Sequence, residues 1–307
     1  MTLAAVTRGR IERPMRVLLF GTEGLGKSTF ASHAPSPIFL ASEDGTSQLD
    51  VARFPEPKSW RDAMDAIHAL TIDEHEYKTL VIDTLDWLEP LCWAAVCEKP
   101  DEKGKRRDNI EAFGFGKGYV AALDEWRLLL ARIERMRLAR NMHVVMLAHS
   151  WVKAFKNPED DDYDRYEMKL NNKASGLLKE WCDVVLFGAY ETFAATDKAT
   201  KRTRGVSTGA RVVHTQRTAA WDAKNRYDLP PTIPLDWQAF SDAVAAHKPA
   251  DPSKLRERIA RLLEGAGDEL RARVNAAVEK AADDAARLAR IADKLTADIG
   301  IASQENG

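Results

Sequence analysis

The sequence predicts an α/β fold: a mostly parallel central sheet flanked by helices, with antiparallel edge strands and a C-terminal helical tail. Three observations lead to this prediction. Between Met15 and Phe187, short apolar runs alternate with stretches of helical periodicity, a pattern typical of a parallel sheet covered on both faces. Residues 190–240 contain an alternating stretch and a proline-rich turn, which indicate antiparallel strands. From Ser253 onward the composition shifts to Ala, Arg, Glu, Asp and Leu, which indicates amphipathic helices.

The individual elements follow from the length and periodicity of the apolar runs. Compact runs rich in β-branched residues predict parallel strands at 15–20, 37–41, 79–83, 143–149 and 183–190. Apolar stripes at helical spacing predict helices over 59–70, where Ser59 is the candidate N-cap, and over 118–140. The predicted edge strands lie at 210–218 and 228–235. In the tail, Gly265 and Gly267 separate two predicted helices.

Two prolines, Pro249 and Pro252, mark a boundary between the core and the tail. We therefore expect an N-terminal extension over residues 1–12, a core over 13–248 and a helical tail over 249–307. The tail helices either pack on the core or on another subunit, or they form a binding segment for a specific partner.

Composition excludes several classes of protein. The chain has 307 residues, with 45 Lys and Arg against 47 Asp and Glu, so its total charge of −2 does not indicate a nucleic-acid partner, although a local basic patch is compatible with it. The three cysteines have no metal-ligand spacing and fit reduced thiols in a cytoplasm. No apolar run reaches the roughly 18 residues of a membrane helix, so we expect a cytoplasmic protein without a membrane partner.

The clearest motif is GTEGLGKS at 21–28, which matches G-x-x-x-x-G-K-S between an apolar strand and a predicted helix. Its glycines allow backbone conformations in which successive N–H groups point inward and hold phosphate oxygens. Lys27 supplies a positive charge to the outer phosphates. The motif therefore predicts binding of a nucleoside triphosphate, ATP or GTP, by Gly21, Thr22, Glu23, Gly24, Leu25, Gly26, Lys27, Ser28 and Thr29.

A second part of this site is predicted at the end of the strand 79–83. Asp83 ends a buried apolar strand, so its carboxylate emerges at the carboxyl edge, where a parallel sheet forms its ligand crevice. Together with the Ser28 hydroxyl, it is the predicted ligand of Mg²⁺. The alternative role for Asp83 is the N-cap of the next helix, a role that Asp86 can also take.

Two further polar residues end predicted strands. Glu43 follows the strand 37–41 and is the candidate that orients and deprotonates a water facing the γ-phosphate; Asp44 is its rival. His149 ends the strand 143–149 and is the candidate sensor of the γ-phosphate. The plain alternatives are a solvated acid in a turn and a buried histidine with satisfied hydrogen bonds.

With these residues in place, the chain resembles the RecA-like branch of the P-loop ATPases. The likeness rests on the phosphate loop, a glutamate after the following strand, an aspartate on the next strand and a polar sensor on a later one. Within the branch, GFGKGY (114–119) and LAHS (147–150) resemble phage-encoded, RecA-like single-strand-annealing ATPases, which are relatives of RadA. The resemblance covers about residues 13–245 and implies an ATPase that uses ATP and Mg²⁺ in a bacterial cytoplasm.

The resemblance also implies partners. RadA-like proteins carry a Lys-Asn-Arg-aromatic segment, which corresponds here to Lys224 and Arg226 with the residues beside them; in ring or filament relatives such cations reach the nucleotide of the neighbouring subunit. The family implies single-stranded DNA bound by two loops, for which 98–109 and 151–173 are the candidates, although the second contains an acidic run. A homo-oligomer is implied, and a single-strand-binding or other recombination protein is a further candidate partner.

Other functions remain open from the sequence. One alternative is an oligomeric DNA motor related to RadA or the replicative helicases. Another is a switch in which ATP binding drives assembly without significant turnover. A small-molecule kinase is a third alternative, although neither a lid nor an acceptor pocket is recognisable in the sequence.

Overall fold

A computed structural model of the 307-residue chain describes residues 6, 11–100, 104–157, 161–196, 203–246, 252–264, 266–282 and 284–305. It divides into two compact units, of which the first ends at Val244 and the second begins at Ala245. Of the predicted extension 1–12, only residues 6, 11 and 12 are described.

The first unit is built on one ten-stranded sheet. Its strands are β1 Arg16–Gly21, β2 Pro37–Ala41, β3 Ala52–Arg53, β4 Thr79–Asp83, β5 His143–Phe155, β6 Tyr163–Met168, β7 Val184–Thr196, β8 Thr203–His214, β9 Lys224–Asn225 and β10 Thr232–Pro234.

The order across the sheet is β10-β8-β7-β1-β5-β4-β2-β3. All pairs from β3 to β7 are parallel, whereas β8 and β10 continue the sheet in antiparallel fashion. The predicted α/β fold with antiparallel edge strands is therefore confirmed. Because β5 lies between β1 and β4, the carboxyl ends of β1, β5, β4 and β2 follow one another along a single edge of the sheet.

Helices cover both faces of this sheet. They are α1 Lys27–Ser32, α2 Trp60–Ile72, α3 Leu85–Glu98, α4 Lys117–Arg140, α5 Asn172–Trp181 and α6 Trp237–Ala246, with a short 3-10 helix at Ile110–Phe113. The expected cap is present on α2, where the Ser59 side chain accepts from the Asp62 N–H and the Asp62 carboxylate accepts from the Ser59 N–H.

Side chains alternate between the two faces of β1, so the sheet separates two hydrophobic cores. Leu18 and Phe20 belong to the core that α2, α3, α4 and α5 complete, with Trp126 of α4 fully buried at its centre. Val17 and Leu19 belong to the other core, with Phe30 of α1 and Phe240 of α6. These two cores hold β1 rigidly where it enters the phosphate-loop motif.

The segment 151–173, predicted as a loop, is mostly a β-hairpin. β5 continues beyond His149 to Phe155 and pairs antiparallel with β6, from Ser150 opposite Met168 to Phe155 opposite Tyr163. Helix α5 then begins at Asn172, with the Asn171 side chain as its N-cap. The loop prediction was wrong because charged and aromatic residues in this stretch hide the alternation by which a half-exposed strand is recognised.

In the described part of the second unit there are three helices, α7 Pro252–Leu262, α8 Asp268–Ala281 and α9 Ala285–Glu305, which share one hydrophobic core. The prediction of two tail helices was wrong, because the apolar stripe continues across the turn between α8 and α9. The break is marked by Ala282 at a φ of 44° and by Asp284, whose carboxylate accepts from the Arg287 N–H as an N-cap.

No helix among the described residues has the length and apolar character needed to cross a bilayer.

Candidate functional site

The phosphate-loop motif forms a tight turn between β1 and α1. Gly24 has a φ of 69° and Gly26, the residue before α1, a φ of 99°. Side chains other than that of glycine rarely adopt these angles, so the two glycines are required by the path of the backbone. The loop opens a short helix at Lys27, as the sequence predicts.

Leu25 anchors this loop in the sheet. Its side chain is fully buried between the ends of β1 and β7, where two glycines make room for it. A Cβ atom on Gly188 would lie 2.6 Å from Leu25 Cδ2, and one on Gly21 would lie 2.5 Å from the Gly188 carbonyl oxygen. Gly188 therefore belongs to the structural support of the loop. The sequence analysis missed it, because only the pairing of β1 with β7 brings it there.

Lys27 is buried beneath the loop. Its Nζ donates to the carbonyl oxygens of Gly21, at 3.2 Å, and Thr22, at 2.8 Å. Burial lowers the pKa of this amine, while the nearby carboxylates of Asp83 and Asp86 raise it. The amine thus lies among acids at the carboxyl edge of the sheet.

Asp83 ends β4 and is 1% exposed. Burial raises its pKa, while the Ser28 hydroxyl and the Lys27 amine lower it. Within the described part of the chain, neither carboxylate oxygen has a hydrogen bond of regular geometry. A buried carboxylate with so little hydrogen bonding is costly, and such a group beside a hydroxyl suits a hard, oxygen-seeking cation such as Mg²⁺.

Protein side chains alone do not form a closed metal site here. No cluster of three or more His, Cys, Asp or Glu with metal-binding geometry occurs among the residues described. A Mg²⁺ ion at Asp83 and Ser28 would therefore keep water and substrate oxygens as its other ligands, which is the usual arrangement for this ion.

Glu43 follows β2 and faces the same region. Its Oε1 lies 3.9 Å from His149 Nε2. Burial raises the pKa of Glu43 most; the His149 ring and Lys27 lower it, and the carboxylates of Asp83 and Asp86 raise it further. Asp44, the rival candidate, is exposed. The fold thus brings Lys27, at the start of α1, near Asp83 and Glu43, which end or follow β4 and β2, and near His149, where the parallel part of β5 ends.

His149 is held in place by Asp86, in the first turn of α3. Asp86 Oδ1 accepts from the His149 backbone N–H at 2.9 Å, and Oδ2 lies 2.9 Å from Nδ1. Burial alone would raise the pKa of Asp86, but the hydrogen bonds from the His149 side chain and backbone lower it overall. A carboxylate beside Nδ1 favours the tautomer that carries its proton on Nδ1, and Nε2 is then the ring nitrogen that faces Glu43.

The same histidine is tied to the β5–β6 hairpin. Its carbonyl oxygen accepts from the Lys169 N–H at 2.9 Å, just beyond the end of β6. One turn after Asp86, both carboxylate oxygens of the buried Glu89 accept from the Asn171 N–H, at 3.2 and 3.0 Å. Helix α3 therefore contacts both the histidine and the base of the hairpin.

Lys224 and Arg226, the two cations predicted to reach a neighbouring subunit's nucleotide, lie away from the phosphate loop of their own chain. β9 pairs with the first residues of β7, so Lys224 and Arg226 lie at the amino edge of the sheet, opposite the phosphate loop of their own chain. Lys224 Nζ donates to the carbonyl oxygens of Lys179 and Glu180 at the end of α5. Arg226, which is 53% exposed, donates to Asp183 at 3.1 Å.

The two candidate DNA loops carry exposed cations and rings. On the hairpin, Trp151 is 44% exposed and Lys153 Nζ lies 5.8 Å from the centre of its ring. In the other segment, Arg106 is exposed and Arg107 lies over the Phe113 ring at 5.8 Å. Lys103, and Glu159 and Asp160 of the acidic run, lie outside the described residues.

Comparison with known proteins gives one family match. A family model described as an AAA domain matches residues 13–227, which is more than half of the chain. No curated protein matches this chain. Among solved structures, the chain is similar to the crystal structure of the RadB recombinase, with a TM-score of 0.41 and 12% identity over 74% of this chain and 90% of that chain.

Proposed function

The chain belongs to the AAA domain family, and on that premise we propose that it binds and hydrolyses ATP and acts as a homo-oligomer on single-stranded DNA. The proposed role is recombination or single-strand annealing of the phage type. One observation carries the proposal: the carboxylates of Asp83 and Glu43 lie close enough to Lys27 of the phosphate loop to act on its charge, and Glu43 lies 3.9 Å from His149.

The phosphate loop binds the triphosphate in this proposal. Backbone N–H groups of residues 22–29 and the start of α1 hold the phosphate oxygens. The Lys27 amine moves from the Gly21 and Thr22 carbonyls, where it donates now, to the outer phosphates. This exchange keeps the buried ammonium paired in both states and replaces neutral carbonyl acceptors by anionic phosphate oxygens, which are the stronger acceptors.

Asp83 and Ser28 hold Mg²⁺ in the proposal. When bound, the ion neutralises charge on the phosphate oxygens. The absence of regular hydrogen bonds to the Asp83 oxygens, among the described residues, supports this assignment.

Glu43 is the proposed base. A raised pKa and a position beside the cluster suit a carboxylate that orients a water and takes its proton as the γ-phosphate is attacked. Glu43 lies close to Nε2 of His149, which supports a sensing role for the histidine. A movement of Glu43 would act on the ring at Nε2, and the hydrogen bond from the Lys169 N–H to the His149 carbonyl oxygen connects the histidine to the hairpin.

Single-stranded DNA is the proposed partner of the β5–β6 hairpin and of the segment before α4. An exposed ring beside a cation, as in Trp151 and Lys153, suits stacking with little sequence preference. In the oligomer, Lys224 and Arg226 are both candidates for reaching a neighbour's nucleotide; Lys224 would exchange two carbonyl oxygens for it, and the half-exposed Arg226 would exchange the Asp183 carboxylate.

The deciding experiment measures ATP hydrolysis with and without a single-stranded oligonucleotide at low salt, alongside sedimentation of the same mixtures. We expect stimulation by DNA and an assembly that forms with ATP and the oligonucleotide. Hydrolysis that is indifferent to DNA contradicts the coupling. Strand displacement on forked DNA would instead favour the motor, and DNA activity that persists without turnover would favour the assembly switch.

A further inference from the structure

Two donors from the antiparallel part of the sheet contact the outer side of the phosphate loop. Tyr190 of β7 donates from its Oη to the Gly24 carbonyl oxygen at 3.3 Å. Arg211 of β8 donates from Nη1 to the Leu25 carbonyl oxygen at 3.2 Å. The two residues lie directly opposite each other in the β7–β8 pair, just before a register shift. Neither is part of the phosphate-loop motif.

These two contacts fix two consecutive peptide units. In a trans peptide the carbonyl oxygen and the N–H of the next residue point to opposite sides. Holding the Gly24 carbonyl outward therefore turns the Leu25 N–H inward, and holding the Leu25 carbonyl outward does the same for the Gly26 N–H. These N–H groups are among the donors that the loop offers to phosphate.

Arg211 also fits tightly against the loop. Its Nη1 lies 2.6 Å from the position that a Cβ on Gly26 would occupy, so Gly26 is required by this approach as well as by its φ. Among the described residues, the only hydrogen bond of the guanidinium is the one to Leu25, and no carboxylate forms an ion pair with it. Within that part of the chain, its hydrogen bonding is thus directed at the loop.

We propose that Arg211 and Tyr190 are positioning residues for nucleotide binding, which hold the phosphate loop in its anion-binding conformation from behind. The inference rests on the proposed nucleotide-binding function and adds to it a part of the sheet that the motif does not contain. Because the contacts are to the loop and not to a transferring group, ATP and ADP should depend on them equally.

The test measures the dissociation constants of Mg·ATP and Mg·ADP, together with KM and kcat, for the full chain. Arg211→Ala should weaken both nucleotides by about tenfold, the range for losing a hydrogen bond to a charged donor. Tyr190→Phe should weaken both by about threefold. KM should rise with kcat nearly unchanged, because binding is lost equally from ground state and transition state.

Two further variants make the result specific. Arg211→Lys keeps a donor and a charge and should restore most of the affinity. Arg127→Ala removes an exposed arginine paired with Asp124 on α4 and should change nothing. If the parent protein binds nucleotide and Arg211→Ala binds it equally well, or if kcat falls while KM stays constant, the inference is wrong. If the parent protein and Arg127→Ala bind no nucleotide, the proposed function itself is wrong.

Discussion

The backbone and the ring of His149 are both held by the one carboxylate of Asp86. The two hydrogen bonds, each 2.9 Å long, fix the point where the parallel part of β5 passes into the hairpin and which ring nitrogen faces Glu43. Asp86 was considered from the sequence as a helix cap, but its carboxylate serves the histidine. The pair therefore joins α3, the sheet edge and the start of the β5–β6 hairpin at one point.

Replacing Asp86 by Asn tests this arrangement. An amide facing Nδ1 favours the other tautomer, which places the proton on Nε2 toward Glu43 and makes the glutamate a weaker base. We expect ATP turnover to fall by about 10- to 100-fold, the range for losing a group that orients a histidine, with ATP affinity nearly unchanged. Steady-state kinetics and calorimetry measure both quantities. Asp124→Asn on the exposed face of α4 is the control, and unchanged turnover in Asp86→Asn would contradict the account.

Glu89 predicts a specific dependence of stability on pH. Burial raises the pKa of this carboxyl to about 7, from 4.5. The folded state therefore keeps a proton on Glu89 that the unfolded state releases above about pH 4.5. The contribution of this protonated carboxyl to the free energy of unfolding is complete below that pH and is lost as the pH rises to about 7. A difference of this size corresponds to about 3 kcal/mol.

Denaturant unfolding of Glu89→Gln and the parent protein at pH 5 and pH 8 measures this term. The amide keeps an acceptor for the Asn171 N–H and does not ionise. We expect the free energy of unfolding of the variant, relative to the parent, to rise by about 2.5 kcal/mol between the two pH values, because a small part of the change is already complete at pH 5. A relative stability that is the same at both pH values would show that Glu89 ionises normally.

The glycine behind the phosphate loop gives a third prediction. Gly188→Ala places a methyl group against Leu25, whose displacement moves the loop. We expect the dissociation constant for ATP to rise by about five- to tenfold, since overpacking typically costs about 1–3 kcal/mol. The double variant with Leu25→Val should recover part of the loss. Gly176→Ala on α5, where an added Cβ meets nothing within 4 Å, is the matched control; equal losses in the two alanine variants would exclude the proposed clash.

Residues near strand ends were predictable from sequence. Asp83 and His149 each end an apolar run, and Glu43 lies two residues past one. Parallel strands bring their carboxyl ends to one edge, so chain position alone predicts that these side chains meet. Lys27 followed from a motif with a mechanical reason for each residue. The fold class followed from the alternation of short apolar runs with stretches of helical periodicity.

What the sequence did not reveal depends on long-range register. Arg211 reaches the phosphate loop only because β8 pairs with β7 with Arg211 opposite Tyr190, and a shift of one residue would turn it to the other face. Gly188 matters only because β7 is the neighbour of β1. The tail turn had a local signal in Asp284, an N-cap residue that the continuous apolar stripe obscured.

Replacement of Glu43 by Gln is the most direct test of the central claim, that the acid after β2 drives hydrolysis at this phosphate loop. Single-turnover hydrolysis and ATP affinity are measured for Glu43→Gln, with Asp44→Asn as the control on the neighbouring exposed acid. We predict a fall in the rate of about 10²- to 10⁴-fold for Glu43→Gln, the range for loss of a general base, with ATP affinity retained and Asp44→Asn unaffected. A Glu43→Gln protein that hydrolyses ATP at the parent rate, or an Asp44→Asn protein that loses hydrolysis in its place, would contradict the account.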